Sequence, residues 1–128
     1  MPLYNSNVIP FSIAPGAIQT VWSAESPVPG AGGAAASQQV ALVPVRGGGG
    51  LVHFHGQFSG APGAFEVDCQ VSDTDVDSSY QTMQNLNITT VDATNNTFHA
   101  EAITDAPFAR LLMRSRTNAV SITATIGR

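Results

Sequence analysis

Apolar and polar residues alternate strictly through much of the second half of this chain. Val52, Phe54 and Phe58 fall on one face of an extended segment, and the residues between them are mostly polar. The same period of two returns over 65–71 and over 120–126. A period of two turns one face of a β-strand toward a core and the other toward solvent. The second half is therefore predicted to consist of half-buried strands.

Turn residues separate these segments, and no segment has a helical period. The clearest turn runs from Asp92 to Asn96, while residues 80–86 could supply one helical turn at most. The predicted strands cover residues 17–23, 39–45, 51–58, 65–71, 86–91, 97–103, 108–116 and 120–126. Seven or eight short strands of this kind predict an all-β fold, either an antiparallel β-sandwich or a jelly-roll-like domain.

The N-terminal part of the chain differs from the rest in composition. The first fifty residues contain only Glu25 and Arg46 as charged residues, together with most of the prolines. The segment 27–37 is rich in proline and glycine and is predicted to be a loop. The predicted organisation is an extended, Pro/Gly-rich segment over residues 1–36 followed by a β-sandwich domain over residues 37–128. The composition leaves open whether residues 1–36 form an arm or a set of irregular edge strands.

Charged residues are scarce in this protein. They make up 11% of the 128 residues, lysine is missing altogether, and the net charge is −4. Globular proteins usually carry about 25% charged residues, and a weakly charged surface is often buried in an assembly. A negative chain has no electrostatic reason to bind nucleic acid, and no apolar run here is long enough to cross a membrane. The first ten residues lack the basic and apolar regions of a signal peptide, so neither nucleic acid nor a membrane is an expected partner.

Two histidines form the sharpest local signal for chemistry. His53 and His55 stand two residues apart on a predicted strand, so both imidazoles could bind one metal ion. A glycine, five residues and then His-x-His resembles the opening of the cupin metal motif, but Ser59 and Gly60 stand where cupins place a glutamate. Because metal sites need three or four ligands, the pattern favours a polar pair on the outer face of a strand. The alternative is a metal site that also includes His99.

Three aspartates are spaced as in calcium-binding loops. Asp73, Asp75 and Asp77 alternate along one short segment. A calcium loop of this type needs glycine at its sixth position and glutamate at its twelfth, where this chain has Ser78 and Gln84. The pattern therefore favours a solvated acidic turn, with a looser calcium site as the alternative.

Arginines cluster near the C-terminus. Arg110, Arg114 and Arg116 alternate onto one face of a predicted strand, whereas most acidic residues lie earlier in the chain. The planar guanidinium binds carboxylates in a bidentate manner, so this face could pair with the acidic turn of another subunit. An ordinary solvated face, or pairing with neighbouring strands of the same chain, is equally consistent with the pattern.

Nucleophilic chemistry is not indicated. Cys69 is the single cysteine, so no disulfide within the chain is possible, and it shares a strand face with Phe65, Val67 and Val71. It is therefore predicted to pack as a small apolar side chain. The sequence has no Gly-x-Ser-x-Gly turn and no phosphate-binding glycine motif. Neither an enzyme activity nor a cofactor is predicted.

The C-terminal segment resembles a known class of proteins. From Pro107 to Arg128 it contains an aromatic-Ala-Arg strand, a short Asn turn and a final Val-x-Ile-x-Ala-x-Ile strand. This order of two strands joined by a short turn resembles the C-terminal hairpin of many small bacteriophage virion proteins, including β-sandwich capsid decoration (cement) proteins and related head or tail components. The proline-rich first half is also similar to the extended N-terminal segment of decoration proteins.

The resemblance implies a virion structural protein without catalysis, often a homotrimer, assembled in the host cytoplasm. Such a protein binds and stabilises the outer shell, with the major capsid protein or other virion proteins as its partners. In this interpretation, residues of the N-terminal segment are apolar anchors that lie across neighbouring shell subunits. The anchors are Phe11, Ile18 and Trp22, and the charged contacts are Arg110, Arg114 and Arg116.

Two other classes of function remain open. A carbohydrate- or receptor-binding sandwich, including a tail-associated module, would bind its ligand with calcium held by Asp73, Asp75 and Asp77. A degenerate cupin-like metalloenzyme would hold a transition metal through the three histidines. The missing cupin glutamate makes the metalloenzyme the weakest of the alternatives.

Overall fold

Two β-sheets packed face to face are formed by residues 11–28, 34–45 and 50–128, which are the residues that the computed structural model describes. The predicted β-sandwich is therefore confirmed. Within these ranges, the helical structure is a single 3₁₀ turn at Asp77–Ser79. The strands are β1 (Phe11–Ile13), β2 (Ile18–Glu25), β3 (Ala35–Ala36), β4 (Val40–Leu42), β5 (Gly50–Phe58), β6 (Phe65–Ser72), β7 (Gln81–Ile88), β8 (Thr97–Thr104), β9 (Phe108–Arg116) and β10 (Ile122–Gly127).

The two sheets differ in size. The six-stranded sheet has the order β1-β4-β9-β6-β7, and β3 pairs with β9 on the same side as β4. The four-stranded sheet has the order β2-β10-β5-β8, so β2 and β8 are its edge strands. All pairings are antiparallel except that of β1 with β4. Successive strands mostly alternate between the sheets, which holds the two layers together covalently.

The described part of the N-terminal segment belongs to this sandwich. β1 pairs with β4, and β2 pairs with β10 along the edge of the four-stranded sheet. Residues 1–10, 29–33 and 46–49 lie outside the described residues. The described residues of this segment therefore include edge strands of both sheets.

The core lies between the sheets, where the inward faces of the alternating strands meet. Val52, Phe54 and Phe58 of β5 are buried, as the alternation predicts. The ring of Phe58 lies edge-on to the ring of Phe65 on the opposite sheet, with 5.0 Å between the ring centroids. Edge-on aromatic pairs at this separation add to the energy of apolar burial. Cys69 is also fully buried in this core, which confirms its predicted packing.

Alternation fails in β2, where two consecutive residues are buried. Val21 and Trp22 are 3% and 1% exposed, although a regular strand would place them on opposite faces. The register with β10 shifts on both sides of Ala124, and Ala24 has a φ of 48°. The amide of Ala24 donates a hydrogen bond of 3.0 Å to the hydroxyl of Thr123. A β-bulge of this kind redirects side chains, and it brings Trp22 into the core.

The strand predicted over 86–91 starts earlier and ends earlier than expected, because β7 covers Gln81–Ile88. Its pairing with β6 passes from Asn87 opposite Asp68 directly to Thr82 opposite Gln70. The residues between, including Asn85 at a φ of 63°, form a bulge. The β-propensity of the sequence does not reveal such a bulge, because it depends on the neighbouring strand.

Gly56 provides a test of the core packing. A Cβ atom at this position would lie 2.3 Å from Cε2 of Phe98, whose ring fills the space above the glycine. We expect Gly56→Ala to lower the free energy of unfolding by about 1–3 kcal/mol, because the ring must move within a packed core. Gly60→Ala is the matched control, since its Cβ would lie 3.6 Å from Val120. Urea denaturation of both variants checks this, and equal losses would contradict it.

Candidate functional site

The outer face of β5 and β8 combines two large exposed apolar residues with all three histidines. Leu51 pairs with Ile103, His53 with Glu101 and His55 with His99 across the two strands. Ile103 and Leu51 are 75% and 45% exposed. We call this set the β5–β8 face; it consists of Leu51, His53, His55, His99, Glu101 and Ile103.

The three histidines lie close together on this face. The ring centroid of His99 is 6.0 Å from that of His53 and 6.1 Å from that of His55. Nε2 of His99 is 3.3 Å from Oε2 of Glu101. As the side chains stand, no three His, Cys, Asp or Glu residues among the described ones converge on one metal position. The sequence predicts only that His53 and His55 share a face, because the register of β8 places His99.

Arg110 is held inside its own chain. It is 3% exposed, and its Nη1 donates a hydrogen bond of 2.7 Å to Asp77. Its Nε donates a hydrogen bond of 2.9 Å to Gln70, and its guanidinium lies 4.2 Å from the ring centroid of Tyr80. Of the alternatives for Arg110 that the sequence left open, the structure shows pairing with residues of the same chain. A contact from Arg110 to another subunit would require these interactions to break.

Arg114 pairs with a buried carboxylate on the adjacent strand. Its Nε donates a hydrogen bond to Asp68, which also accepts one of 2.8 Å from Thr82 and another from Asn87. The alternation over 65–71 places Asp68 on the face opposite Val67 and Cys69, which predicts exposure to solvent, but Asp68 is 2% exposed. Burial by itself raises the pKa of Asp68, but the hydrogen bonds and the charge of Arg114 outweigh burial and hold the pKa below its ordinary value.

Arg116 and the outer part of Arg114 are the cationic groups of this strand that solvent can reach. The side chain of Arg114 is 47% exposed, and Arg116 is half-buried. Nη1 of Arg116 donates a hydrogen bond of 3.3 Å to the carbonyl of Val120. A charged contact between subunits therefore remains a prediction for these two residues.

The acidic loop uses two of its three carboxylates within the chain. Asp75 accepts a hydrogen bond of 2.9 Å from the hydroxyl of Tyr80, and Asp77 pairs with Arg110. Asp73 is exposed. A calcium ion bound by all three would have to replace these partners, so the loop as it stands is organised by Tyr80 and Arg110.

The three predicted apolar anchors have different surroundings. Trp22 is 1% exposed and packs in the core of its own chain, so its side chain is not available to a partner in this fold. Ile18 is 61% exposed on the edge strand β2. Phe11 lies on β1 with its backbone opposite Val40, and its side chain is outside what the structure describes.

The thiol of Cys69 is free but buried, and its surroundings keep it protonated. Burial raises its pKa to about 12, and the nearby charge of Asp68 contributes in the same direction. The reactive form of a thiol is the thiolate, which this environment suppresses. The residue therefore acts as part of the core.

A polar cleft that the sequence did not indicate lies between the end of β7 and the start of β8. Its volume is about 410 Å³, and Asn87, Ile88, Val91 and Phe98 contribute to its walls. Its other lining residues are polar: Thr89, Thr90, Asp92, Thr97 and His99. The neighbouring threonines are the one feature of the sequence that points to a polar surface here. The surface is concave only because the ends of the two strands approach each other.

No protein-family model matches this chain, and neither a curated protein nor a solved structure matches it. The resemblance to phage virion proteins therefore stays a prediction. Among the residues that the structure describes, no helix is long and apolar enough to cross a membrane.

Proposed function

We propose that this protein is a non-catalytic structural subunit of a virus particle, of the capsid decoration type. The observation that carries the proposal is the exposed apolar pair Leu51–Ile103 on and beside an edge strand. The scarcity of charge and the resemblance of residues 107–128 to virion hairpins support the same function.

The edge strand β8 has few of the features that prevent association. It runs over eight residues, contains no proline and has Glu101 as its single charge. Within the described residues, its outer edge pairs only at its start, through a bridge between Asp92 and Thr97. Natural proteins protect such edges with charges, prolines or short strands, and an unprotected edge accepts a strand from another chain.

Association through this surface would suit a subunit that repeats on a shell. The occupant that we propose is a second copy of this chain, and the resemblance implies a trimer. In a trimer, one surface of each copy meets a different surface of the next, and the residues nearest the three-fold axis meet their own copies. Many weak contacts to a repeating lattice then add up to stable attachment through multivalency. The proposed partner to which such an oligomer attaches is the major capsid protein or another virion protein.

The apolar pair can be tested by charge substitution. We expect the wild-type chain to be an oligomer, most simply a trimer of the 13.3 kDa protomer, and its mass to be unchanged by EDTA. Leu51→Asp combined with Ile103→Asp should give a monomer, because buried unpaired carboxylates are costly at an interface. Light scattering of the native protein measures this directly.

The matched control is Val76→Asp, which places a charge on another exposed apolar residue, 53% exposed, on the acidic loop. This variant should keep the wild-type mass. A wild-type monomer, or an oligomer that both variants retain, would contradict the proposed surface. Thermal unfolding of each variant separates loss of association from loss of the fold.

A second candidate function is supported by the polar cleft beside β8. Threonine hydroxyls and the carboxylate of Asp92 are groups that hydrogen-bond sugar hydroxyls, so a glycan is the corresponding ligand. The cleft does not include Asp73, Asp75 or Asp77, so a glycan bound there would not need calcium at the acidic loop. A glycan-array screen with the purified chain, with and without EDTA, distinguishes this function from the first.

A further inference from the structure

The chain has three histidines, and the fold brings all of them to one surface. His99 is the common neighbour, because its ring lies 6.0 Å from His53 and 6.1 Å from His55 between centroids. Glu101 adds a carboxylate whose oxygen is 3.3 Å from Nε2 of His99. No other charged residue of the described chain pairs with these three histidines.

The distances between the rings are close to those that a shared metal requires. Zinc–nitrogen bonds of about 2.0–2.1 Å place the centres of two imidazoles on one tetrahedral zinc roughly 5 Å apart. The observed separations of 6.0 and 6.1 Å therefore need closure of about 1 Å, and the rings of His53 and His99, which are stacked with 26° between their planes, must also turn so that their nitrogens face one point. Rotation about side-chain bonds can provide it, because these side chains stand on the outer surface of the sheet.

The surroundings of each side chain allow this rotation. The side chains of His99 and Glu101 are 52% and 57% exposed, and His55 is exposed as well. The ring of His53 lies over Gly127, where a Cβ atom would approach its Cε1 to 2.2 Å. His53 is half-buried against Gly127 of β10, so turning toward His99 on β8 lifts its ring off that glycine.

We propose that His53, His55 and His99 bind one divalent transition metal ion on the β5–β8 face. Two ligands come from alternate positions of β5 and the third from the cross-strand neighbour on β8. Imidazole nitrogens suit zinc, copper and nickel, whereas carboxylate-rich sites suit calcium and magnesium. The negative charge of Glu101 further favours a cation here, and the fourth position is open to water or to a ligand from another molecule.

This site requires neither the proposed virion function nor a cupin fold, and it lies on the same β5–β8 face as the Leu51–Ile103 pair. It needs no oligomer, because both strands belong to one chain. It also needs no glutamate at the position that the cupin motif requires. A failed oligomerisation experiment would leave it untouched.

The experiment is a Zn²⁺ titration of the full-length, untagged chain in competition with a chromogenic chelator. We expect one Zn²⁺ per chain, and we expect His99→Ala to weaken the affinity by roughly tenfold or more because it removes the shared ligand. His55→Ala should cause a similar loss. Co²⁺ in place of Zn²⁺ should give the visible absorption of a nitrogen-ligated tetrahedral ion in the wild type but not in His99→Ala.

The control variant is Asp73→Asn, which removes an exposed carboxylate from the acidic loop and should leave the affinity unchanged. The proposal fails if the wild type does not bind Zn²⁺ at about 100 μM, which corresponds to a very weak affinity. It also fails if His99→Ala binds Zn²⁺ as the wild type does. It fails as well if the chain has several weak, independent sites and each single His→Ala variant loses only one of them. Unchanged thermal unfolding of His99→Ala would show that the loss of binding is not a loss of the fold.

Discussion

Replacing Asp68 with alanine is expected to lower the free energy of unfolding by about 2–4 kcal/mol. The carboxylate is 2% exposed and accepts hydrogen bonds from Arg114, Thr82 and Asn87. Its removal leaves these three donors without their acceptor, and of the three only the half-buried Thr82 lacks ready access to water, because Arg114 and Asn87 are exposed. Urea denaturation at neutral pH measures the loss. The control is Glu66→Gln, an exposed acid on the same strand, which should change stability by less than about 0.5 kcal/mol.

The lowered pKa of Asp68 predicts how the stability of the protein depends on acidic pH. The folded pKa of Asp68 lies below its ordinary value of 3.8, so its contribution to stability is complete above that value. The contribution is lost as the pH falls through the lower, folded pKa. We therefore expect the stability difference between wild type and Asp68→Asn to shrink as the pH is lowered below about 4. A difference that stays constant from pH 7 to the acid limit would contradict this assignment.

Replacing Trp22 with alanine is expected to cost about 3–5 kcal/mol, the range for large aromatic residues in a core. Trp22 is 1% exposed and packs between the sheets. Ile18→Ala on the same strand is the control, because Ile18 is 61% exposed and its loss should have a small effect. Thermal or urea unfolding of both variants decides the matter. Equal stabilities of the two variants would show that β2 does not contribute to the core.

Truncation extends this prediction to the whole N-terminal segment. Deleting residues 1–36 removes β2 with Trp22, so we expect loss of cooperative unfolding. Deleting residues 1–10 removes none of the described strands and should preserve the fold. The shorter deletion is therefore the correct probe of an arm that binds a partner. A folded, cooperative chain without residues 1–36 would contradict the structural role of β2.

The sequence predicts the strands well where alternation is regular. In β5 every second residue is buried, because the strand lies flat between a core and solvent and its side chains simply alternate. In β2 and β7 the prediction is less accurate, because bulges depend on the partner strands. The burial of Asp68 and Arg110 could not be predicted either. Their strand positions indicate an outward face, but residues of β7 and the acidic loop supply partners that cover that face.

The candidate sites divide in the same way. The sequence by itself determined the class of fold, the single buried thiol and the pairing of His53 with His55 on one face, because these follow from a local period of two. Only the tertiary structure decided that His99 and Glu101 join those histidines, that Leu51 meets Ile103 and that Trp22 is core. Each of these depends on the register between strands distant in sequence, and a shift of one residue would turn every side chain to the opposite face.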